Sequence, residues 1–152
     1  FGIAPTGPSD IRRIEAGILN YGIDMTIEND PYEVGLGRLV DPGKPHDFVG
    51  KEALRRKKEE GPVQRLVGLE IDGTPLDLNM TRWPVRQGGR ALGHVTSAVH
   101  SPRLQKNIGY AFVPAAHAAE GTRFEVETSA GARTATVVPM PFVDPARVAA
   151  RS

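Results

Sequence analysis

The chain has 152 residues, 39% of them hydrophobic and 24% charged, which is the composition of a globular protein with one ordinary core. Nineteen basic and eighteen acidic residues leave a net charge of +1, which argues against a nucleic-acid-binding or membrane-surface protein. The absence of cysteine excludes disulfides and thiolate sites, and no apolar run approaches the ~18–20 residues of a membrane span, so we expect a cytoplasmic protein.

The first predicted element is an amphipathic helix that begins after Ser9. Its apolar stripe has the spacing i, i+3 and i+7 and consists of Ile11, Ile14 and Ile18. Ser9 or Asp10 can cap the helix, since either side chain accepts a hydrogen bond from the free amides of the first turn. We predict that the helix continues through Gly17, which permits a close backbone contact, and ends at residues 20–22.

A second helix start and a short strand are expected next. Asp30 followed by Pro31 has the pattern of a helix N-terminus, with the aspartate as cap and the proline in the first helical position. Residues 36–40 are then a strand candidate.

The clearest helix spans residues 48–60. It opens at Gly50 and contains Glu52, which can pair with Arg56 at i+4. Its charged end, residues 55–60, is expected to be solvated rather than a basic patch, because the acidic residues cancel much of the basic charge. The Gly61-Pro62 sequence ends it, since glycine adopts the left-handed cap and proline cannot continue a helix.

The hydrophobic period changes to two from Val63 onward, which indicates β-strands. The apolar residues Val67, Leu69 and Ile71 share one face. Further strands are predicted at residues 91–99, 107–113, 123–128 and 133–138. The chain is therefore expected to be α+β, with a small antiparallel barrel or sandwich after a boundary at residues 61–62.

Catalytic motifs are sparse. There is no Gly-x-Ser-x-Gly sequence, which argues against a serine hydrolase, and the four histidines lack the spacing of metal ligands. We therefore predict no catalytic residue and no metal site in this chain. Trp83 and Tyr110 are expected to be core residues rather than base-stacking platforms.

Several segments together resemble the glycine-cleavage T-protein family. In chain order they are Arg13-Ile14-Glu15-Ala16-Gly17, Tyr21-Gly22-Ile23-Asp24-Met25, Pro31-Tyr32-Glu33-Val34-Gly35-Leu36, Asp47-Phe48-Val49-Gly50-Lys51-Glu52-Ala53-Leu54, Gly93-His94-Val95-Thr96-Ser97, Ser101-Pro102-Arg103-Leu104 and Met140-Pro141-Phe142-Val143. Their order and spacing over residues 9–145 are those of the family, which argues against chance agreement.

The resemblance implies that residues 1–61 are the C-terminal part of an α/β folate-binding domain and that residues 62–152 are a jelly-roll-like β-barrel domain. Proteins of this family bind tetrahydrofolate and pass it a one-carbon unit. The T-protein takes an aminomethyl group from a lipoyl carrier, whereas related members take a methyl group from sulfonium, aryl methyl ether or N-methylglycine donors. The family's acid–base Asp and pterin-reading Glu lie earlier in the fold, so we expect a missing N-terminal half, or another subunit, to complete the site.

The resemblance also implies a set of cofactor-binding residues, namely Ser9, Arg13, Ile18, Tyr21 and Arg147. T-proteins have a folate-contacting Arg at the position of Ser9, and a hydroxyl cannot provide the forked, charge-assisted contact of a guanidinium. This departure favours a demethylase-like member. The acidic tail of folate could instead be held by Arg12, by Arg13 or by a residue of the absent half.

Each of these candidates has a structural alternative. Arg13 could pair with Glu15 to anchor the helix, and Ile18 could be core rather than pterin wall. Tyr21 could pack under the barrel rather than line the cleft. Arg147 lies where T-proteins have a ligand-contacting Tyr, or is an ordinary tail charge. Asp24 is expected to be a turn acid rather than a catalyst.

Two functions follow from the resemblance. The first is the C-terminal part of a tetrahydrofolate-dependent one-carbon transferase that uses a small methyl or aminomethyl donor, with little turnover by this chain alone. The second is a non-catalytic folate-binding or assembly module of the same family. An upstream sequence with the catalytic Asp and the pterin-binding Glu would favour the first.

Overall fold

The computed structural model describes residues 9–143. They contain two α-helices, α1 (Asp10–Glu15) and α2 (Lys51–Glu60), which precede six strands. The strands are β1 (Gln64–Ile71), β2 (Trp83–Gln87), β3 (Arg90–Ser101), β4 (Lys106–Pro114), β5 (Arg123–Thr128) and β6 (Gly131–Val138). Short 3₁₀ turns lie at Gly37–Leu39 and Ala115–His117.

The six strands form a closed antiparallel barrel in the order β1-β4-β3-β2-β5-β6. The ring closes where β1 pairs with β6, with Gly68 opposite Val138 and Ile71 opposite Ala135. Closure leaves no strand edge with unpaired backbone groups. The predicted small antiparallel barrel is therefore confirmed.

Period-two alternation divides the strand residues between two cores. Inward-facing residues fill the barrel, among them Val67, Leu69, Ile71, Trp83, Val85, Val95 and Val126. Outward-facing residues of β1, β3 and β4 form a second cluster with Ile14 of α1, and these are Leu66, Val99, Ile108, Tyr110 and Phe112. Because β4 is covered on both faces, nearly all of its residues are buried. The second cluster attaches the opening segment to the outside of the barrel.

Helix α1 is shorter than the sequence pattern predicted. It ends at Glu15, because Gly17 adopts a φ of +70° and its amide bonds back to the Ile14 carbonyl. Ser9 caps the other end as predicted, with its hydroxyl accepting from the Arg12 amide at 3.4 Å. Ile18 consequently leaves the apolar stripe and is 58% exposed, so it does not belong to the core that residues 9–143 form.

Residues 30–40 form turns instead of the expected helix and strand. The Asp30 carboxylate does accept from the amides of Tyr32 and Glu33, at 2.9 and 3.0 Å, as a helix cap would. Gly35 then adopts a φ of +73°, which ends the turn before a helix can propagate. Residues 37–39 follow as a 3₁₀ turn rather than a strand.

Helix α2 lies where it was predicted but begins at Lys51 rather than at residue 48. Gly61 ends it with a φ of +73°, as expected. Glu52 pairs at 2.7 Å with Arg55, at i+3, and not with Arg56. No residue of α2 is buried, so the helix is solvated. Within residues 9–143 we find no helix of the length and apolarity that a membrane crossing requires.

Candidate functional site

Arg13 lies at the centre of a polar network between α1 and the barrel. Its Nε donates to Asp10 at 2.6 Å, its Nη1 to Asp24 at 2.7 Å and its Nη2 to the Ser97 hydroxyl at 3.0 Å. Burial by itself lowers the pKa of Arg13, but the hydrogen bond to Asp10 and the charge of Asp24 outweigh it and raise the pKa above its ordinary value. Arg13 is therefore a permanent cation with each of its three nitrogens engaged.

Asp24 is fully buried and accepts from four donors. Besides Arg13, they are the Asn20 amide at 2.9 Å, the Thr96 hydroxyl at 2.7 Å and the Ser97 hydroxyl at 2.6 Å. A buried carboxylate needs this degree of compensation for its lost hydration. Asp24 closes the turn at residues 20–24, as expected of a turn acid, and it also fastens that turn to β3.

A β-bulge explains how two consecutive side chains reach the same carboxylate. Successive residues of a regular strand point to opposite faces, so only Thr96 or Ser97 could approach Asp24. The pairing of β3 with β4 shifts register between Val95 and Ser97. The extra residue at the bulge turns both hydroxyls toward one oxygen of Asp24.

Glu15 does not pair with Arg13, so the predicted pair is wrong. Residues two apart on a helix point in different directions. Glu15 is 8% exposed and instead accepts from the Ser101 hydroxyl at 2.5 Å. Ser101 in turn accepts from the Leu104 amide at 3.1 Å. Helix α1 is thus attached to β3 at two separate points.

Residues 142 and 143 provide a further attachment, since Val143 contacts α1 and Phe142 contacts β4. Phe142 stacks on Tyr110 with ring centroids 6.1 Å apart, and the Val143 amide donates to the Glu15 carbonyl at 3.1 Å. The Tyr110 hydroxyl donates to the Ile14 carbonyl at 2.9 Å. Burial, and then the charge of Asp24, raise the pKa of Tyr110, so it remains a protonated donor. Trp83 and Tyr110 are both buried, as predicted, but Tyr110 lies outside the barrel.

A cleft of about 330 Å³ opens beside the Arg13 network. One wall is the opening segment, through Asp10, Arg13, Asn20 and Ile23, and the other is the β1–β2 connection at residues 78–82. Asn79 ties this second wall to β3, donating to the Thr96 carbonyl at 3.1 Å and accepting from the Ala98 amide at 2.5 Å. Both walls are therefore fastened to residues 96–98 of the same strand.

A shallower concavity of about 550 Å³ adjoins the cleft, and the two share Asp10, Arg13 and Asn20. The structure brings three predicted cofactor-binding residues to its lining, namely Ser9, Arg13 and Ile18. Tyr21 is 67% exposed and is not among the described residues that line either hollow. Arg147 lies outside the described residues.

A small pocket of about 170 Å³ lies on the other side of Ile23. His94 is half-buried in its lining, with its ring centroid 5.8 Å from that of Phe112. Burial, and then the positive charge of Arg82, lower the pKa of His94 and favour its neutral form. Within residues 9–143 no group of three or more His, Cys, Asp or Glu side chains is arranged to hold a metal ion.

The sequence analysis did not predict the cleft wall at residues 78–82, nor that Thr96 and Ser97 attach the opening segment to β3. A signal existed for Thr96 and Ser97, because they belong to a segment that matched the family pattern. No comparable signal marks Asn79, whose role depends on contacts with a strand about twenty residues away, at Thr96 and Ala98.

Comparison with known proteins gives consistent matches along the chain. Residues 64–144 match the family model of the glycine cleavage T-protein C-terminal barrel domain. The chain is 42% identical over 130 residues to a dimethylsulfoniopropionate demethylase of Ruegeria pomeroyi, covering 86% of this chain and 35% of that protein. It is 43% identical over 143 residues to an aminomethyltransferase of Synechococcus sp., covering 93% of this chain and 39% of that protein.

A solved structure shows the same fold. The crystal structure of the glycine cleavage system aminomethyltransferase T from Bartonella henselae matches with a TM-score of 0.79 and 27% identity, covering 90% of this chain and 38% of that chain. The chain therefore spans less than two fifths of the length of these three proteins.

Proposed function

This chain belongs to the glycine cleavage T-protein family, and we propose on that basis that it is the C-terminal part of a tetrahydrofolate-dependent one-carbon transferase. The group transferred is a methyl group, as in a demethylase, or an aminomethyl group, as in glycine cleavage. In this proposal, residues 1–61 are the C-terminal part of the folate-binding domain and residues 62–152 are the C-terminal β-barrel domain. An N-terminal part of the fold, or another subunit, supplies the rest of the site.

The cleft beside Arg13 is the observation that carries the proposal. Tetrahydrofolate has a polar bicyclic head, an aromatic middle and an anionic tail, and it needs a lining that is apolar in part and polar in part. Ile23, Leu78 and Met80 supply apolar surface there, while Asn20 and Arg82 supply polar groups. This donor set fits the cofactor.

The residues of this chain would bind and orient tetrahydrofolate rather than take part in proton transfer. When bound, the cofactor supplies a nucleophilic amine that accepts the one-carbon unit. The side-chain amide of Asn20 would hydrogen-bond to the polar head, and Ile23 and Met80 would cover a ring face and exclude water. Asp24 has both oxygens occupied, so it holds the wall and does not act as a base. Holding two substrates in fixed relation is itself a large catalytic contribution.

The test is an assay of the full-length protein with tetrahydrofolate and alternative donors. Dimethylsulfoniopropionate should yield 5-methyltetrahydrofolate if the protein is demethylase-like. An aminomethyl-lipoyl carrier should yield 5,10-methylenetetrahydrofolate and ammonia if it is an aminomethyltransferase. Mass spectrometry of the folate products distinguishes the two. Folate binding without turnover would favour the non-catalytic module, and absence of folate binding would show that the proposal is wrong.

A matched pair of variants tests the cleft itself. Ile23 is 45% exposed and lines the cleft, whereas Ile27 is 88% exposed on the same segment and does not. Ile23→Ser is expected to weaken tetrahydrofolate binding about tenfold, the cost of losing one apolar contact of this size. Ile27→Ser should leave the affinity unchanged. Residues 1–152 alone should bind weakly, and an affinity equal to that of the full-length protein would contradict the idea that half the site lies elsewhere.

A further inference from the structure

Arg13 is poorly suited to receive the anionic end of a ligand, although the sequence pointed to it. Its charge is already matched by two carboxylates, Asp10 at 2.6 Å and Asp24 at 2.7 Å. Turning the guanidinium toward a ligand would leave the fully buried Asp24 without its counter-charge, which is strongly unfavourable. Arg13 therefore positions the cleft wall and is not available to a second anion.

Arg12, the next residue in the chain, has the opposite properties. It is exposed and lines the concavity beside Ser9 and Ile18. Within residues 9–143 its guanidinium makes no ion pair or hydrogen bond with another side chain or carbonyl. Asp10, the adjacent acid, bonds to Arg13 at 2.6 Å and not to Arg12.

The chemistry around Arg12 suits a carboxylate carried on an apolar stem. Ala16 and Ile18 provide apolar surface in the same concavity, which is open to solvent on one side. A guanidinium presents several donors in a planar fork that matches a carboxylate. The Ser9 hydroxyl accepts from the Arg12 amide, which leaves its own proton free for the same anion. One end of the concavity leads into the cleft through Asp10, Arg13 and Asn20.

We propose that Arg12, and not Arg13, receives the glutamate carboxylate of tetrahydrofolate. This inference rests on the proposed function, because the identity of the ligand comes from it. It assigns the anion-binding role to a residue one helical turn after Ser9, on the same side of α1. A ligand held in this way has its head in the cleft and its acidic tail directed toward solvent.

The test compares three ligands that differ only in their tail: 5-formyltetrahydropteroamide, which ends in an uncharged amide, and 5-formyltetrahydrofolate with one and with three glutamates. Calorimetry with the full-length protein at low salt gives the affinities. Arg12→Gln should bind the monoglutamate about tenfold more weakly than the wild type, the effect of one charge-assisted hydrogen bond, and should bind the pteroamide as tightly as the wild type does. Arg12→Lys should recover part of the loss, because it restores the charge without the fork.

Three other variants distinguish Arg12 from its neighbours. Arg13→Gln should lower the thermal stability and yet keep the preference for glutamate-bearing ligands. Arg90→Gln, an exposed site at the start of β3, is the matched control and should change neither property. Arg82→Gln tests the other arginine of the cleft and should retain the preference.

The outcomes separate this inference from the proposed function. Loss of the glutamate preference in Arg12→Gln alone would support it. Retention of the preference in that variant, or its loss in Arg82→Gln instead, would overturn it. Equal binding of all three ligands by the wild type would also overturn it while leaving the proposed function intact. Failure of the wild type to bind any of them would reject both.

Discussion

Arg13 Nη1 and Asp24 Oδ2 lie 2.7 Å apart and join the two ends of the segment that forms one wall of the cleft. The same carboxylate accepts from Thr96 and Ser97, so it also fastens that wall to the barrel. The shape of the cleft and the stability of the α1–barrel junction therefore depend on the same few atoms.

Asp24→Asn is expected to lower the free energy of unfolding by about 3 kcal/mol, because it removes one partner of a buried ion pair. The side-chain amide of asparagine would also direct its NH2 group at hydrogen-bond donors that, in the wild type, donate to a carboxylate oxygen of Asp24. Urea unfolding measures the loss. Asp10→Asn is the control, since that side chain is 45% exposed and its ion pair should contribute less than about 1 kcal/mol. Equal losses in the two variants would contradict the central role of Asp24.

Ser101→Ala should lower the free energy of unfolding by about 1–3 kcal/mol, the cost of leaving buried polar groups unsatisfied. The variant removes the donor to Glu15 and the acceptor of the Leu104 amide together. Thermal unfolding followed by circular dichroism checks this. Ser129→Ala, in the exposed β5–β6 turn, should have no measurable effect. A stable Ser101→Ala protein would show that Glu15 has another compensating partner.

Gly93→Ala should destabilise the barrel by at least about 3 kcal/mol, an overpacking cost at the upper end of the usual range. A Cβ at this position would overlap the Phe112 carbonyl, because β3 and β4 approach closely there. Gly43→Ala serves as the control, since it lies in an exposed loop where the nearest obstacle is the side chain of Asp41 at 3.1 Å. The soluble yield and the unfolding midpoint of the two variants are compared. Similar midpoints for Gly93→Ala and Gly43→Ala would contradict the close approach of β3 and β4 at Gly93.

His94 is expected to make stability depend on pH. Its pKa is lowered from 6.5 by burial and then by the charge of Arg82, so the unfolded chain binds a proton that the folded chain does not in the window below 6.5. Stability therefore rises with pH through this window, and it falls as the pH drops below 6.5. Unfolding free energies measured from about pH 5 to 8 should follow this trend.

His94→Gln should flatten that dependence, because glutamine does not titrate. His46→Gln, at an exposed position, is the matched control and should keep the wild-type slope. An unchanged slope in His94→Gln would assign the effect to another group.

Local sequence signals predicted the elements that neighbouring residues control. Helix α2 lies between two glycines with positive φ, and the alternation of Val67, Leu69 and Ile71 places them inside the barrel. Predictions were wrong where a single glycine overrode a longer pattern. Gly17 shortened α1 and exposed Ile18, and Gly35 interrupted a segment whose Asp30 cap had formed as expected.

The candidate site was predicted only in part, because the roles of its residues depend on partners distant in the chain. Ser9, Arg13 and Ile18 do lie around one concavity. The expected partner of Arg13 was Glu15, two residues away, whereas the partners in the structure are Asp10, Asp24 and Ser97. Helical periodicity shows which residues share a face of α1, and it cannot show what the barrel presents to that face.

The sequence by itself determined five of the six antiparallel strands, the solvated helix α2 and the family, since these depend on short-range patterns of apolar residues, glycines and motif order. Tertiary structure alone decided that Asp24 is a buried anchor and that Arg13 is engaged. The bond from Thr96 to Asp24 spans 72 residues of chain, and it forms because a bulge in β3 turns two successive hydroxyls the same way. Neither the bulge nor that contact leaves a local pattern, because both arise from how β3 pairs with β4 and packs against the opening segment.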